Sequence, residues 1–234
     1  MRSTRRSQLS KFYTYSINNS NACFNETIDL VIVIISKSDS YKTRDAIRRT
    51  WGSGKHLGRY STINIKFFFL LDFDEKLSNN IRLENNIFHD IIQVELPQQY
   101  TLVTHRDISI FEWSFRFCRS AKFLFKADDD VFINLILVLK FLEPLLNTTD
   151  ENSFRSSDMN IYGYRHYNPH VFREAKDPVP VRYIVTIDEY PCELYPDYLS
   201  GFGYLIPKKA RDAIVYAAYQ NPDIPFRISD VYLT

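Results

Sequence analysis

No apolar run in this chain approaches the ~20 residues that a bilayer-spanning helix needs. Leu30-Val31-Ile32-Val33-Ile34-Ile35 stops between Asp29 and Ser36, so it reads as a buried strand. The N-terminus is charged, but no apolar stretch follows it, and the pattern of a secretory signal is missing. Cysteine is scarce. Cys23, Cys118 and Cys192 fit no zinc-ligand spacing; they allow one disulfide and one spare thiol, and the sequence does not choose the pair. An excess of either charge is lacking too: 29 Lys and Arg against 28 Asp and Glu leave a net +1, which removes the global electrostatic case for nucleic acid. Of the 6 glycines, the pair Gly201 and Gly203 lacks the third glycine and the strand-before-helix setting of a dinucleotide fingerprint, so NAD is rejected. Internal repeats and low-complexity segments are missing as well.

What is present describes a globular chain. With 234 residues and 45% hydrophobic content, it has the material for one large domain or two small ones. Aromatics reach 15%, with 18 Phe and 16 Tyr, which suggests rings on which a sugar or a base can stack. Residues 1–27 are polar and Asn/Ser-rich and read as a linker or stalk remnant, opening on the basic residues Arg2, Arg5, Arg6 and Lys11. Three N-x-[ST] sequons, at Asn18, Asn25 and Asn147, permit a luminal location.

From there strands and helices alternate. Strands are expected at Leu30–Ser36, Asn64–Leu71, Asp90–Val94 and Lys122–Lys126. Helices are expected at Thr43–Trp51, Lys76–Asn86, Asp107–Arg119 and Leu135–Leu146. Beyond Leu146 short β segments follow at Ile161–Tyr164, Arg182–Thr186 and Gly203–Ile206, then a last helix at Lys208–Tyr219. The alternation argues an α/β fold, a mostly parallel sheet with helices on both faces. In such sheets ligands bind beyond the carboxyl ends of the strands.

Asp128-Asp129-Asp130 lies at such an end, between Phe123-Leu124-Phe125 and Val131-Phe132-Ile133. Like charges this close repel unless a cation sits among them, and hard oxygen ligands suit Mg²⁺, Mn²⁺ or Ca²⁺ rather than zinc. The cluster reads as half of a metal site, completed by a phosphate-bearing substrate. An acidic turn capping the next helix is the alternative on three residues alone, and the flanking apolar runs favour the metal. Arg44 and Arg48 share a helix face after the first strand, with Arg49 nearby, and cations at a helix opening can hold a diphosphate. A solvated face is the plainer reading of their spacing alone. In Ser200-Gly201-Phe202-Gly203-Tyr204 the glycines permit close backbone approach to a ligand, or simply a tight turn. Asp230 by itself is a surface carboxylate or a cap. His166 and His170 flank Pro169, which argues against a helical pair.

Several segments then fall in one order: Arg44–Trp51, Asp90–Gln93, Lys126–Asn134, Tyr195–Tyr204 and Asp230-Val231. This ordered set resembles the β1,3-galactosyltransferase and β1,3-N-acetylglucosaminyltransferase family of Golgi enzymes, from about Leu30 to the last residue. The resemblance implies a GT-A fold, a Rossmann-like nucleotide-binding part followed by a smaller, β-rich acceptor-binding half. It also implies a UDP-sugar donor (UDP-galactose or a UDP-N-acetylhexosamine), a glycan acceptor on a glycoprotein or glycolipid, and Mn²⁺ or Mg²⁺. A luminal Golgi location follows from the same resemblance.

Residue by residue, the resemblance makes Asp130 a metal ligand. Asp128 or Asp129 would hold the ribose or a metal-bound water. Arg44 and Arg48 would lie near the uridine diphosphate. Ser200, Gly201, Gly203 and Tyr204 would line the donor and acceptor side, and Asp230 would be the general base of an inverting β1,3 transfer. The chain departs from the family pattern at Ser229, where an acidic residue is usual, and at Leu199, where Cys is frequent. It departs again at Leu102–Arg106 (usually Asn-Leu-Thr-x-Lys) and at Val181-Arg182 (usually Lys-Trp). The family's N-terminal anchor and a stretch after the base find no match, so the domain over 28–234 is expected to be C-terminally short. An inactive relative that only binds UDP-sugar or glycan is the alternative function. A Mg²⁺ phosphohydrolase ranks last, since it leaves the other matching segments unexplained.

Overall fold

The structure is a computed structural model that describes residues 13–54, 57–146, 159–174, 180–220 and 225–234. The basic residues before Tyr13 and the sequon at Asn147 lie outside the described residues. Seven strands form one sheet in the order β1-β4-β3-β2-β5-β7-β6. They are β1 (Tyr15–Ile17), β2 (Leu30–Ile35), β3 (Ile65–Phe73), β4 (Ile91–Pro97), β5 (Phe123–Asp128), β6 (Tyr162–His166) and β7 (Tyr198–Pro207). The central β4-β3-β2-β5 set is parallel, whereas β1, β7 and β6 pair antiparallel at the edges. The helices are α1 (Tyr41–Arg49), α2 (Ser78–Phe88), α3 (Val103–Phe117), α4 (Leu135–Leu146), α5 (Lys208–Gln220) and α6 (Ser229–Leu233). Among the described residues no helix is long and apolar enough to cross a membrane.

The buried strands divide their side chains by parity, as a sheet covered on both faces requires. Val31 and Val33 of β2, with Phe68 and Leu70 of β3 and Leu124 of β5, join Ile110, Phe111 and Trp113 of α3 and Val215 of α5 in one core layer. Leu30, Ile32 and Ile34, with Phe69, Leu71, Phe123 and Phe125, face the other way, onto Ile47 of α1, Ile81 of α2 and Leu135, Leu139 and Leu142 of α4. A small third cluster, Val171, Val185 and Tyr195, supports the loops on the β7 side.

The expected strands and helices of the first 146 residues are present, with their ends displaced by a few positions. Two expectations are corrected. From Tyr13 onward the chain is not a linker. Tyr15–Ile17 pairs with β4 as an edge strand, and the Tyr15 hydroxyl donates to Glu112 Oε2 at 2.7 Å. Trp113 Nε1–H donates to the Asn18 carbonyl at 2.7 Å, and Cys23 is disulfide-bonded to Cys118, leaving Cys192 exposed and free. The polar composition concealed this segment because its few apolar residues, Tyr13, Tyr15, Ile17 and Cys23, reach the core without forming a long stripe.

Nor is Arg182–Thr186 a strand; it begins with a short 3₁₀ turn at Val181–Tyr183. Its carbonyls are taken by arginines. Arg227 donates to the carbonyls of Arg182 and Ile184, and Arg173 to those of Val185 and Thr186. A strand would need those acceptors for a ladder.

Arg44, Arg48, Glu84 and Asp90 form a buried ion network joining α1, α2 and the start of β4. Arg44 meets Glu84 at 2.6 Å, and Arg48 meets Glu84 and Asp90 at 2.7 Å each. Removing one member of a buried network leaves an uncompensated charge. We therefore expect Glu84→Ala to destabilise the fold by about 3–5 kcal/mol, read from urea unfolding. A loss well under 1 kcal/mol would mean the network is merely solvated.

Candidate functional site

Strands β2 and β5 end side by side, with Ile35 in register with Asp128. Beyond these ends opens a cleft of about 870 Å³. The β2–α1 loop contributes Ser36 and Lys37, the end of β3 contributes Asp72, and α3 contributes Val103 and Arg106. Asp128, Asp129 and Asp130 form one wall, Ser200, Gly201 and Phe202 of β7 another, and Ser229 and Asp230 of α6 a third. The sequence-predicted aspartates and the distant Asp230 thus face one space. Ser200–Tyr204 is not a separate turn but part of β7, which extends the expected β segment at Gly203–Ile206 and whose Gly203 pairs with Ala127.

Lys126 organises the floor. It is buried on β5, where its ammonium donates to Asp128 Oδ1 at 2.8 Å and to the Gly201 carbonyl, and it lies 3.8 Å from Asp107. Burial works against its charge, but Asp107, Asp128 and Asp230 outweigh that penalty and hold its pKa above the usual lysine value. Asp107, on α3, is fully buried, and neither of its carboxylate oxygens has a hydrogen-bond partner among the described residues. Burial pushes its pKa up to about 6, against the lowering effect of Lys126. Asp129 is also raised, first by burial and then by Asp130 and Asp128, while Ser36 and Arg44 pull the other way; its Oδ2 is buried and unpartnered. Asp130 is exposed to the cleft.

Asp230 opens the short helix α6. Its Oδ2 accepts the Gly201 N–H at 2.8 Å, and its Oδ1 accepts the Ser229 hydroxyl at 3.2 Å. The Thr234 hydroxyl donates to the Asp230 carbonyl at 2.6 Å and accepts the Leu199 N–H at 2.8 Å, tying α6 to β7. Gly201 has a steric reason: a Cβ there would sit 2.2 Å from Asp230 Oδ1. Ser229 is buried beside Asp107 and Asp230, where an acidic side chain would add a third negative charge. Leu199, in place of the frequent Cys, packs into the core.

Other sequence-predicted residues are placed differently. Arg44 and Arg48 do not line the cleft, and their guanidinium groups are committed to Glu84 and Asp90, which corrects the expectation of direct diphosphate contact. Arg44 acts from behind, donating to the Lys37 carbonyl at 2.6 Å and to Ser36 Oγ at 3.2 Å, so it shapes the loop that does line the cleft. Gly203 and Tyr204 stand on β7 below the rim, and Tyr204 is buried. Ser200 reaches the cleft and shares a 2.6 Å hydrogen bond with His166, whose ring lies 4.8 Å from that of Tyr198.

Sequence reasoning missed Lys126, Asp107, Lys37 and the Arg106–Asp72 pair, in which Arg106 Nε donates to Asp72 Oδ1 at 2.8 Å. A lone lysine inside the apolar run Phe123–Ala127 was the one visible signal. Among the described residues no three His, Cys, Asp or Glu side chains are grouped closely enough to cage a metal. Asp128 and Asp130 supply hard oxygen donors only, so a cation there would take its remaining ligands from water or a phosphate.

A parallel core with an acidic cleft at its carboxyl end, flanked by an antiparallel strand whose Gly201 holds the second carboxylate, Asp230 of α6, defines a GT-A-like α/β fold. Comparison with known proteins narrows the class. The family model described as galactosyltransferase matches residues 42–234, and the chain belongs to that family. It is 28% identical over 227 residues to the lactosylceramide 1,3-N-acetyl-beta-D-glucosaminyltransferase of Xenopus tropicalis, covering 94% of this chain and 57% of the relative. The enzyme of the same name from Rattus norvegicus is 27% identical over 236 residues, covering 99% of this chain and 59% of the relative. That from Homo sapiens is 28% identical over 226 residues, covering 94% and 57%. The chain thus spans between 57 and 59% of the length of these relatives.

Lys126 counters three carboxylates at once, which sets an expectation for its removal. Lys126→Met should destabilise the protein by about 3–5 kcal/mol, measured by urea unfolding. Unchanged stability would show that the carboxylates do not depend on it.

Proposed function

We propose that the chain is a UDP-sugar-dependent hexosyltransferase that forms a β1,3 linkage to a glycan hydroxyl with inversion. The observation that carries this reading is the meeting of Asp128–Asp130 and Asp230 across one cleft, with Asp230 gripped by the Gly201 N–H and the Ser229 hydroxyl. The names of the relatives favour N-acetylglucosamine as the sugar and the glycolipid lactosylceramide as the acceptor. Galactose and other N-acetylhexosamines, and glycoprotein acceptors, are the nearest variants of the same chemistry. The Cys23–Cys118 disulfide supports folding in an oxidising lumen, in keeping with a Golgi enzyme.

Single displacement needs a carboxylate to take the acceptor proton and positive charge to meet the leaving diphosphate. Asp230 supplies the first: its two hydrogen bonds fix the carboxylate on the cleft wall before any acceptor arrives. Asp130, with Asp128, would hold Mn²⁺ or Mg²⁺, which absorbs charge developing on the diphosphate when bound. Lys37, on the β2–α1 loop, lines the cleft and adds positive field, whereas Arg106 on α3 lines it as an ion pair with Asp72. Lys126 holds Asp128 against β7, so the acidic wall and the strand bearing Gly201 keep a fixed separation. Tyr183 and Phe202 present rings at the rim, where a sugar face can stack.

The test is turnover of UDP-N-acetylglucosamine with Mn²⁺ on lactosylceramide and a panel of β-linked glycans. Asp230→Asn should lower turnover by roughly 10²–10⁴-fold while UDP affinity, read by calorimetry, is kept. Asp130→Ala should remove metal-dependent UDP binding, and turnover that survives it sinks the assignment. Gly201→Ala should displace Asp230 and reduce turnover on the order of 10²-fold, with the circular dichroism spectrum retained.

A further inference from the structure

We propose that Asn25 is an N-glycosylation site and that Asn18, the neighbouring sequon, is not. Asn25-Glu26-Thr27 is exposed, and Asn25 lies in a turn with a left-handed backbone (φ 58°). Among the described residues its side-chain amide has no hydrogen-bond partner. Asn18-Asn19-Ser20 differs in its burial and in its side-chain contacts. All three residues are half-buried, and the Asn18 side-chain oxygen accepts the Ser20 N–H at 3.1 Å. The Asn18 carbonyl receives the Trp113 indole, and the Asn19 amide donates to Asn85 Oδ1 and to the Ile91 carbonyl at 2.7 Å each. A glycan on the half-buried Asn18 would crowd the contacts that hold the amino-terminal segment on α3 and β4.

Three further observations agree. Cys23, two positions before Asn25, is disulfide-bonded to Cys118, so this turn is built in an oxidising compartment, where such glycans are added. Phe24 is 71% exposed, and beside it lies an open concavity of about 480 Å³ lined by Phe24, Asn25, Arg116, Phe117, Arg119 and Ser120. The apolar face of a first N-acetylglucosamine over Phe24 would shield a ring otherwise left in water. Finally, Asn25 lies at the amino-terminal end of β2, whereas the cleft lies at its carboxyl end. Six residues of β2 separate the two by about 20 Å, so a glycan here leaves the cleft open.

The covalent step is a transfer from a lipid-diphosphate-linked oligosaccharide, catalysed by the host's own transferase. The Asn25 amide nitrogen bonds to the anomeric carbon, the bond from that carbon to the diphosphate oxygen breaks, and the lipid diphosphate departs. The amide proton passes to a base of that transferase.

The test is expression of the full chain through a eukaryotic secretory pathway, with peptide mass spectrometry before and after amidase deglycosylation. The expected result is a glycan on the Asn25 peptide, converted to Asp at that position by the amidase, and an unmodified Asn18 peptide. Thr27→Ala should abolish the modification and Thr27→Ser should retain it, with the asparagine and its turn intact in both. An unmodified Asn25 peptide in secreted protein that carries the Cys23–Cys118 disulfide overturns the proposal. So does a glycan that persists in Thr27→Ala or that resides on Asn18.

Discussion

A buried ammonium among carboxylates is the constraint on which the rest of the molecule depends. Lys126 projects from the centre of the sheet, and the groups it answers come from β5, β7 and α3. Acidic residues crowded at a strand end would repel one another apart. With a cation beneath them they can be held together, and the space above them stays open. The position of α3 is tied to the same demand, since Asp107 lies close to the ammonium that offsets its charge. On the far side of the sheet Glu84 plays the reverse part, a buried carboxylate between two arginines. The first supports the acidic wall at the carboxyl ends of the strands, and the second reaches from the start of β4 to the β2–α1 loop.

This arrangement separates two kinds of precision. The acidic wall and Asp230 are set by backbone pairing: β5 and β7 are in register from Phe123 with Pro207 to Ala127 with Gly203, and α6 is tied to β7 through Thr234 and Gly201. The remaining wall comes from loops and short turns packed on the small cluster of Val171, Val185 and Tyr195.

The sequence showed the parallel core clearly because parity and period are strong signals in Leu30–Ile35 and in Leu135–Leu146. It also placed the aspartates at a strand end from their flanking apolar runs. Asp230 had no local signature, and only the ordered resemblance singled it out. Its grip by Gly201 depends on two segments about thirty residues apart meeting at a backbone amide, which no spacing rule encodes. Arg44 and Arg48 were misread for a complementary reason. Helical spacing puts them on one face, but it does not say that Glu84, forty positions after Arg44, faces them. The edge strand at Tyr15–Ile17 was hidden by polar composition and by its three-residue length; a tyrosine hydroxyl bond and the packing of Tyr15 and Ile17 against the two core layers hold it.

The loop between Val181 and Tyr190 has almost no ladder of its own, yet eight hydrogen bonds donated by Arg173 and Arg227 reach its backbone carbonyls, the Glu189 carboxylate and the Cys192 carbonyl just beyond. A wall fastened through main-chain oxygens is indifferent to the side chains it displays. Those outward side chains are free to drift while the path of the chain is kept. Diversification of what the mouth of the cleft accepts can thus proceed without disturbing the sheet that carries the chemistry, provided two guanidinium anchors are retained.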